Sequence, residues 1–401
     1  MFVRRKKLNR TQQFEQFPED FDKLGLEITE DHRLVEKDDK RPFDYNLFGT
    51  AKDEKTLRRN ECRREAVDEC NRQWVYKQLT TEVGLVPHHS PTISSFDEPH
   101  TTVLHTPSAF EPSNTKPLVI ILPSQTADLG IFSRRQMSDV NMFSGSTIPF
   151  IKSCLGADYE VLLLNPGQCI WDPVRKRVMS ESTWKCTTTT KPYLLTNANR
   201  IPGNSTVDEH LNTFLGPDGF VLQHLKKGAK DRKVLFLGIS FTGTLLTYLL
   251  SEHWTHWAPY AQSLCLLEPS FAKRKLTPDF RAFLIKLGRA YIVWSGESLG
   301  ERIDDMRFGC ATHSGEETES DKMMCGLVDH VSAYFKGCLE NSDLVNEGVM
   351  VEVEDLVGGE GIAERMKKAA FEREVDNEEK GWGFEEIEIP KGINIDDPKY
   401  D

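Results

Sequence analysis

Long apolar runs are missing from this 401-residue chain. No stretch approaches the roughly eighteen apolar residues that a membrane-spanning helix needs, so no span is expected. An apolar leader near the N-terminus is missing as well, and the nine cysteines fall at no zinc-ligand or redox spacing. Scattered and odd in number, they point to a reducing, intracellular compartment, with neither a metal nor another cofactor expected. Asn204-Ser205-Thr206 fits a glycosylation sequon, which has no meaning without a secretory route. No internal repeat is visible. A basic surplus is missing too, since the formal net charge is -12. Residues 341–401 hold 18 acidic and 7 basic residues, which places -11 of that charge at the C-terminal end. The first 340 residues are therefore close to neutral, and duplex binding by a broad basic face is not indicated. A local contact with a short RNA, or an RNA held through a partner protein, stays compatible with this arithmetic.

What is present divides into four regions. Residues 1–20 form a basic arm whose Arg4-Arg5-Lys6-Lys7 reads either as a nuclear-import signal or as a solvated start. Residues 21–100 form a cap, with a strand pair around Leu26-Glu27-Ile28 and Arg33-Leu34-Val35 and a long helix over Lys52–Leu79. On that helix Cys62, Ala66, Cys70 and Trp74 recur every four residues, a stripe that belongs in a core. Pro87–Pro99 reads as a loop.

From residue 101 to 340 short apolar runs alternate with helical stretches. The runs are Val103–His105, Leu118–Leu122, Val161–Leu164, Val234–Leu237, Leu264–Leu267 and Tyr291–Trp294. Helices are expected at Thr147–Leu155, His210–Lys227, Thr244–His253, Thr277–Leu287 and Cys325–Lys336. Such alternation implies a doubly wound, mostly parallel sheet, the α/β class. Gly167–Gly203 has no clear period and reads as a mobile surface insertion. The acidic extension, residues 341–401, reads as loosely ordered, with one helix over Ile362–Val375.

One segment carries chemistry. Val234–Leu237 runs through Gly238-Ile239-Ser240-Phe241-Thr242-Gly243 directly into an apolar helix, the pattern of a nucleophile elbow. An α/β-hydrolase-like fold would then place an acid and a histidine after later strands, and Glu268, Glu297, His313 and His330 follow in that order. The candidate triad is Ser240, His313 and Glu268. Three details oppose catalysis. Thr242 crowds the turn where glycine is usual, Pro123-Ser124-Gln125 replaces a glycine-rich oxyanion loop, and no histidine has an assured place beside the serine. Ser240 equally suits the cap of the following helix. His210 is expected to cap or pack the start of the helix after it. Arg134 and Arg135 either pair with Asp128 and Asp139 or hold a phosphate. Arg175, Lys176 and Arg177, near Trp171 and Trp184, form a candidate short-RNA contact in the insertion, with a solvated loop as the other reading.

Phe132-Ser133-Arg134-Arg135, Ser144–Lys152, Val161–Pro166 and Asp208-Glu209-His210 resemble the Arb2 domain family, over about Phe21 to Phe335. That family includes Argonaute-binding proteins, animal cotranscriptional regulators and C-terminal domains of some fungal histone deacetylases. The resemblance implies an α/β-hydrolase-like fold acting in the nucleus, with the cytoplasm as a second location. The implied role is small-RNA (siRNA) and Argonaute-linked heterochromatin formation and gene silencing, or cotranscriptional RNA processing. The implied partners are Argonaute-type, chromatin or splicing proteins. The family elbow reads small-His-Ser-Tyr-Gly-Gly, of which only Ser240 and Gly243 persist, and Ser320 stands where a family histidine is expected. The expectation is a non-catalytic scaffold with indirect contact to small RNA. The alternatives are a serine esterase using Ser240 and direct RNA binding through 167–203.

Overall fold

The computed structural model describes residues 15–50, 53–186, 195–228, 231–305, 307–317, 320, 322–341 and 346. The chain divides into two units, Met1–Val349 and Met350–Asp401, and the account that follows concerns the first. The basic Arg4–Lys7 cluster, the Thr187–Thr190 run and the helix expected over Ile362–Val375 lie outside the described residues.

The cap comes first. Strands β1 (Leu26–Ile28) and β2 (Leu34–Glu36) pair antiparallel, as their sequence suggests. Helix α1 (Glu54–Lys77) starts at Asp53, whose carboxylate accepts the Thr56 N–H, and ends in a π turn at Gln78–Glu82. Its buried face, Val67, Cys70 and Val75, joins the cap residues Leu26, Leu34 and Phe43 in one core. Arg63 on this helix reaches Glu36 with Nη2 at 2.9 Å from both carboxylate oxygens, and both side chains are almost fully buried. Removing one partner leaves the other charge stranded, so Glu36→Ala is expected to cost about 3–5 kcal/mol. Urea unfolding followed by circular dichroism would measure it.

Next come β3 (Val86–Ser90), β4 (Thr101–His105), β5 (Leu118–Leu122), α2 (Arg134–Asp139), α3 (Ile148–Gly156) and β6 (Glu160–Leu163). The insertion holds β7 (Gln168–Asp172), β8 (Arg177–Ser180) and α4 (Glu181–Cys186), and is followed by α5 (Val207–Leu215) and α6 (Phe220–Lys227). Then follow β9 (Val234–Ile239), α7 (Ser240–Glu252), α8 (Trp254–Trp257) and β10 (Ala261–Leu267). The described part closes with α9 (Pro278–Leu287), β11 (Gly288–Ile292), β12 (Arg302–Ile303), β13 (Ala311–Ser314) and α10 (Met323–Glu340).

Nine of these strands form one sheet in the order β12-β13-β11-β10-β9-β5-β6-β4-β3. The six from β13 to β6 run parallel, and β12, β4 and β3 pair antiparallel at the two sides. Central strands are apolar throughout because helices cover both faces, and all five residues of β5 have no exposed surface. One core packs α1, α3 and α10 against Leu235, Leu237, Cys265 and Leu267. The other packs α5 to α9 against Val234, Phe236, Leu264 and Leu266.

Four expectations are corrected. Pro87–Pro99 is not wholly a loop, because Val86–Ser90 pairs with β4 as an edge strand. Its proline escaped recognition as part of a strand, and edge positions are where proline is tolerated. The helix expected over His210–Lys227 is two helices, divided where Gly216 and Gly219 pack against the backbone of residues 212–216. The insertion is not without pattern, since Gln168–Asp172 and Arg177–Ser180 form a hairpin and Trp171 is 2% exposed. Thr242 does not spoil the elbow, as its geometry makes plain.

Candidate functional site

Open α/β sheets bind ligands beyond the carboxyl ends of their strands, and that rim holds most of the sequence candidates. Ser240 follows β9 with φ +57, the left-handed conformation of a nucleophile elbow. The close approach that the turn demands is made by two glycines. A Cβ on Gly238 would lie 2.6 Å from the Gly243 Cα, and one on Gly243 would lie 2.7 Å from the Gly238 carbonyl oxygen. Thr242 is fully buried beside them without occupying that contact. The helix begins at Ser240 itself and its N-cap is Ile239, so the serine hydroxyl is not a cap. That hydroxyl makes no hydrogen bond among the described residues.

The other candidates stand along the same rim in an order fixed by strand register. Ile239, Leu267, Tyr291 and His313 are successive partners across β9, β10, β11 and β13. Glu268 is therefore the immediate neighbour of Ser240 on the next strand, and it too has positive φ, +47. Its Oε1 accepts the Val293 N–H, which ties it to the end of β11. His313 stands three strand spacings from Ile239, about 14 Å. It lies inside β13 with its ring 5.6 Å from that of Tyr291, and its Nδ1–H donates to the Gly300 carbonyl at 2.9 Å. Burial, reinforced by the nearby Arg289, holds its pKa down at about 4. Register sets Glu268 beside Ser240, with its carboxylate bonded to Val293 and not to the serine, and does not bring His313 to them. Glu297 accepts the Trp294 indole N–H, and the His330 ring packs against Gly300.

The position after β13, where a triad histidine would stand, is held by Glu316, with φ +50 and its Oε2 accepting the Leu299 N–H at 3.0 Å. Sequence reasoning missed Glu316 because it took His313 to lie past the strand end. Facing the elbow, the loop after β5 turns the carbonyls of Ser124, Gln125 and Ala127 onto Gly167, where a Cβ would meet them at 3.0, 2.9 and 2.4 Å. Its Ala127, Leu129 and Ile131 N–H groups are bonded to Ser124 O, Gln168 Oε1 and Asp128 O.

The residues of the sequence resemblance build a second assembly. Ser133 caps α2 by accepting the Gln136 N–H, and the Phe132 and Ser133 N–H groups donate to the Gly145 carbonyl. Asp128, its side chain fully buried, accepts Arg134 at 2.6 and 2.9 Å and Gln168 at 3.0 Å, with Arg72 at 3.5 Å. Gln168 in turn accepts from the Asn165 side chain, and the Asn165 N–H donates to His210 Nε2 at 3.3 Å. His210 Nδ1–H then donates to Asn204 Oδ1. Complete burial pushes the His210 pKa down to about 3, so the ring is neutral and serves as a bridge. It neither caps nor merely packs α5.

Each expected cation has a carboxylate. Arg134 meets Asp128 and Asp68, and Arg177 meets Glu69 and Glu19. Arg135 meets Asp139, Arg175 meets Asp172 and Lys176 meets Asp97. Trp171 is buried and presents no stacking face, while Trp184 is partly exposed. Glu69 and Arg72, missed because α1 was read only for its apolar stripe, complete the network. Their spacing of three residues on a helix was the available signal. Among the described residues no acidic, histidine or cysteine group is arranged to hold a metal, and no helix is long and apolar enough to cross a membrane.

A mostly parallel sheet covered on both faces, with a serine elbow after a central strand, defines the α/β-hydrolase-like class. Within that class the chain belongs to the Arb2 domain family, whose model matches residues 17–297. It is 25% identical over 175 residues to a human protein described as putative protein ARB2BP, covering 43% of this chain and 46% of the relative. It is 27% identical over 152 residues to the human cotranscriptional regulator ARB2A, covering 38% of this chain and 35% of the relative. The matched stretch thus spans less than half of either relative's length. Among solved structures it is similar to a histone deacetylase from Saccharomyces cerevisiae, with a TM-score of 0.38 and 17% identity. That likeness covers 69% of this chain and 97% of the other.

Proposed function

We propose that this protein is a non-catalytic α/β-hydrolase-fold scaffold that regulates gene expression in the nucleus through protein partners. Its sphere is cotranscriptional RNA processing or small-RNA-directed heterochromatin formation, with Argonaute-type, chromatin or splicing proteins as partners and contact with small RNA indirect. The observation that carries this reading is that His313 is held inside β13 by its bond to the Gly300 carbonyl and that Glu316 occupies the position after that strand, while the elbow around the serine keeps its form. A serine without a positioned base is an alcohol at neutral pH. The three cations considered for RNA, and the arginine pair considered for phosphate, are matched by carboxylates, which supports indirect contact.

Affinity purification from the protein's own cells, followed by mass spectrometry, tests the partner class. Recovery of Argonaute, chromatin or splicing factors is expected, and their consistent absence would sink the reading. The left-handed Ser240 also favours a second reading, a serine acyl hydrolase. A fluorophosphonate probe decides between them. No labelling of the native protein is expected, whereas labelling that disappears in Ser240→Ala would establish the hydrolase.

A further inference from the structure

Five of the eleven histidines gather on one edge of the sheet, in two aromatic clusters on opposite faces of β3 and β4. Successive strand residues point to opposite faces, so His88 and His89 divide between them. On one face the His88 ring lies 6.5 Å from that of His105 and 4.4 Å from that of Phe220. Phe110 joins this group 5.1 Å from His105 and 5.0 Å from His224. On the other face His89 lies 5.0 Å from His100 and 5.4 Å from Phe96, and His100 lies 5.1 Å from Trp171 of β7. His105 Nδ1 bonds the Thr106 carbonyl, His224 Nδ1 the Phe220 carbonyl and His100 Nδ1 the Glu98 carbonyl.

We propose that these clusters form a proton-sensitive clasp: protonation loosens the β3–β4 edge from α6 and β7 while the central strands stay folded. Through these clusters β3 meets α6 and Phe214 of α5 on one face and the 96–100 turn on the other. Charging several rings within about 6 Å of each other sets like charges side by side in a poorly solvated place. The counter-charges are few and already engaged. Glu160 on β6 faces His105 but accepts from Thr106, Ser108 and Asn114, and it also faces Arg232. Glu111 and Arg232 line the groove beside Phe110 and His224. Glu98 faces His100 and is bonded to Ser94, while Asp97 is held by Lys176.

Burial and the neighbouring rings lower the pKa of His88, His89 and His105 from 6.5. The folded edge therefore binds fewer protons than the released one. Its stability is complete above that unfolded value and is lost as pH falls through the lower folded values.

Hydrogen–deuterium exchange of the full chain at about pH 7.5 and about pH 5.5, corrected for intrinsic exchange rates, tests the clasp. Protection of residues 86–90 is expected to fall by about tenfold or more at the lower pH, while residues 118–122 and 234–239 keep theirs. The double variant His88→Gln/His89→Gln is expected to lose this pH response. If that variant does not fold, His224→Gln, which leaves β3 untouched, must show a smaller fall than the native protein. Equal protection of 86–90 at both pH values, loss shared with 118–122, or a native response in the variants would overturn the proposal.

Discussion

Asp128→Ala is expected to lower the unfolding free energy by about 3–5 kcal/mol, one of the two largest effects foreseen. The carboxylate is fully buried and receives Arg134, Arg72 and Gln168 from three separate elements. Its removal leaves Arg134 facing Asp68, at 3.7 Å, and Arg72 facing Glu69, carboxylates that Arg64 and Arg177 also share. It also frees Gln168, which steadies Asn165 and the loop before the insertion hairpin. Asp128→Asn should recover only part of the loss, because the amide keeps one acceptor but no charge. Denaturant titration at low and high salt would separate the two variants. A change below about 1 kcal/mol for Asp128→Ala would mean that the network is loose.

The second large effect falls on the elbow. In Gly243→Ala the new methyl would meet the Gly238 carbonyl carbon and oxygen at 2.8 and 2.7 Å, and Leu266 on the far side at 3.2 Å. Backbone on one side and core on the other leave no route of relief, so a loss of about 3 kcal/mol or failure to fold is expected. Ser240→Gly should act oppositely, raising stability by up to about 1 kcal/mol, because glycine takes a positive φ without a steric penalty. Ser240→Ala should stay within about 0.5 kcal/mol, as the hydroxyl makes no hydrogen bond to lose. If Ser240→Gly instead proved strongly destabilising, the hydroxyl would have to hold a partner in solution.

Much of the fold could be read from residue pattern alone. Leu118–Leu122 and Leu264–Leu267 are doubly buried strands whose apolar runs name them, and α1 and α10 declare themselves by helical period. What escaped was structure made by context. β3 contains a proline and two histidines, and becomes a strand only because β4 supplies a ladder. β13, Ala311–Ser314, is too short and polar to stand out, and missing it moved His313 from inside a strand to a supposed loop. The same error concealed Glu316. At the rim, chain order identified Ser240 and its neighbour Glu268. It could not show which way a ring faces, because that depends on register across four strands. The Arg134–Asp128 and Arg135–Asp139 pairs were legible, since short spacing on a turn or helix brings opposite charges together.

The two flanks of the large sheet have a bearing on how copies of this protein meet. On one side the last strand, Arg302–Ile303, is only two residues long, and on the other the outermost strand carries Pro87. A second molecule seeking to continue the ladder finds too short a template at one flank and a residue lacking an amide hydrogen at the other. Sheet-to-sheet polymerisation is thereby discouraged at both ends, and the apolar strands between them stay shielded in a crowded cell.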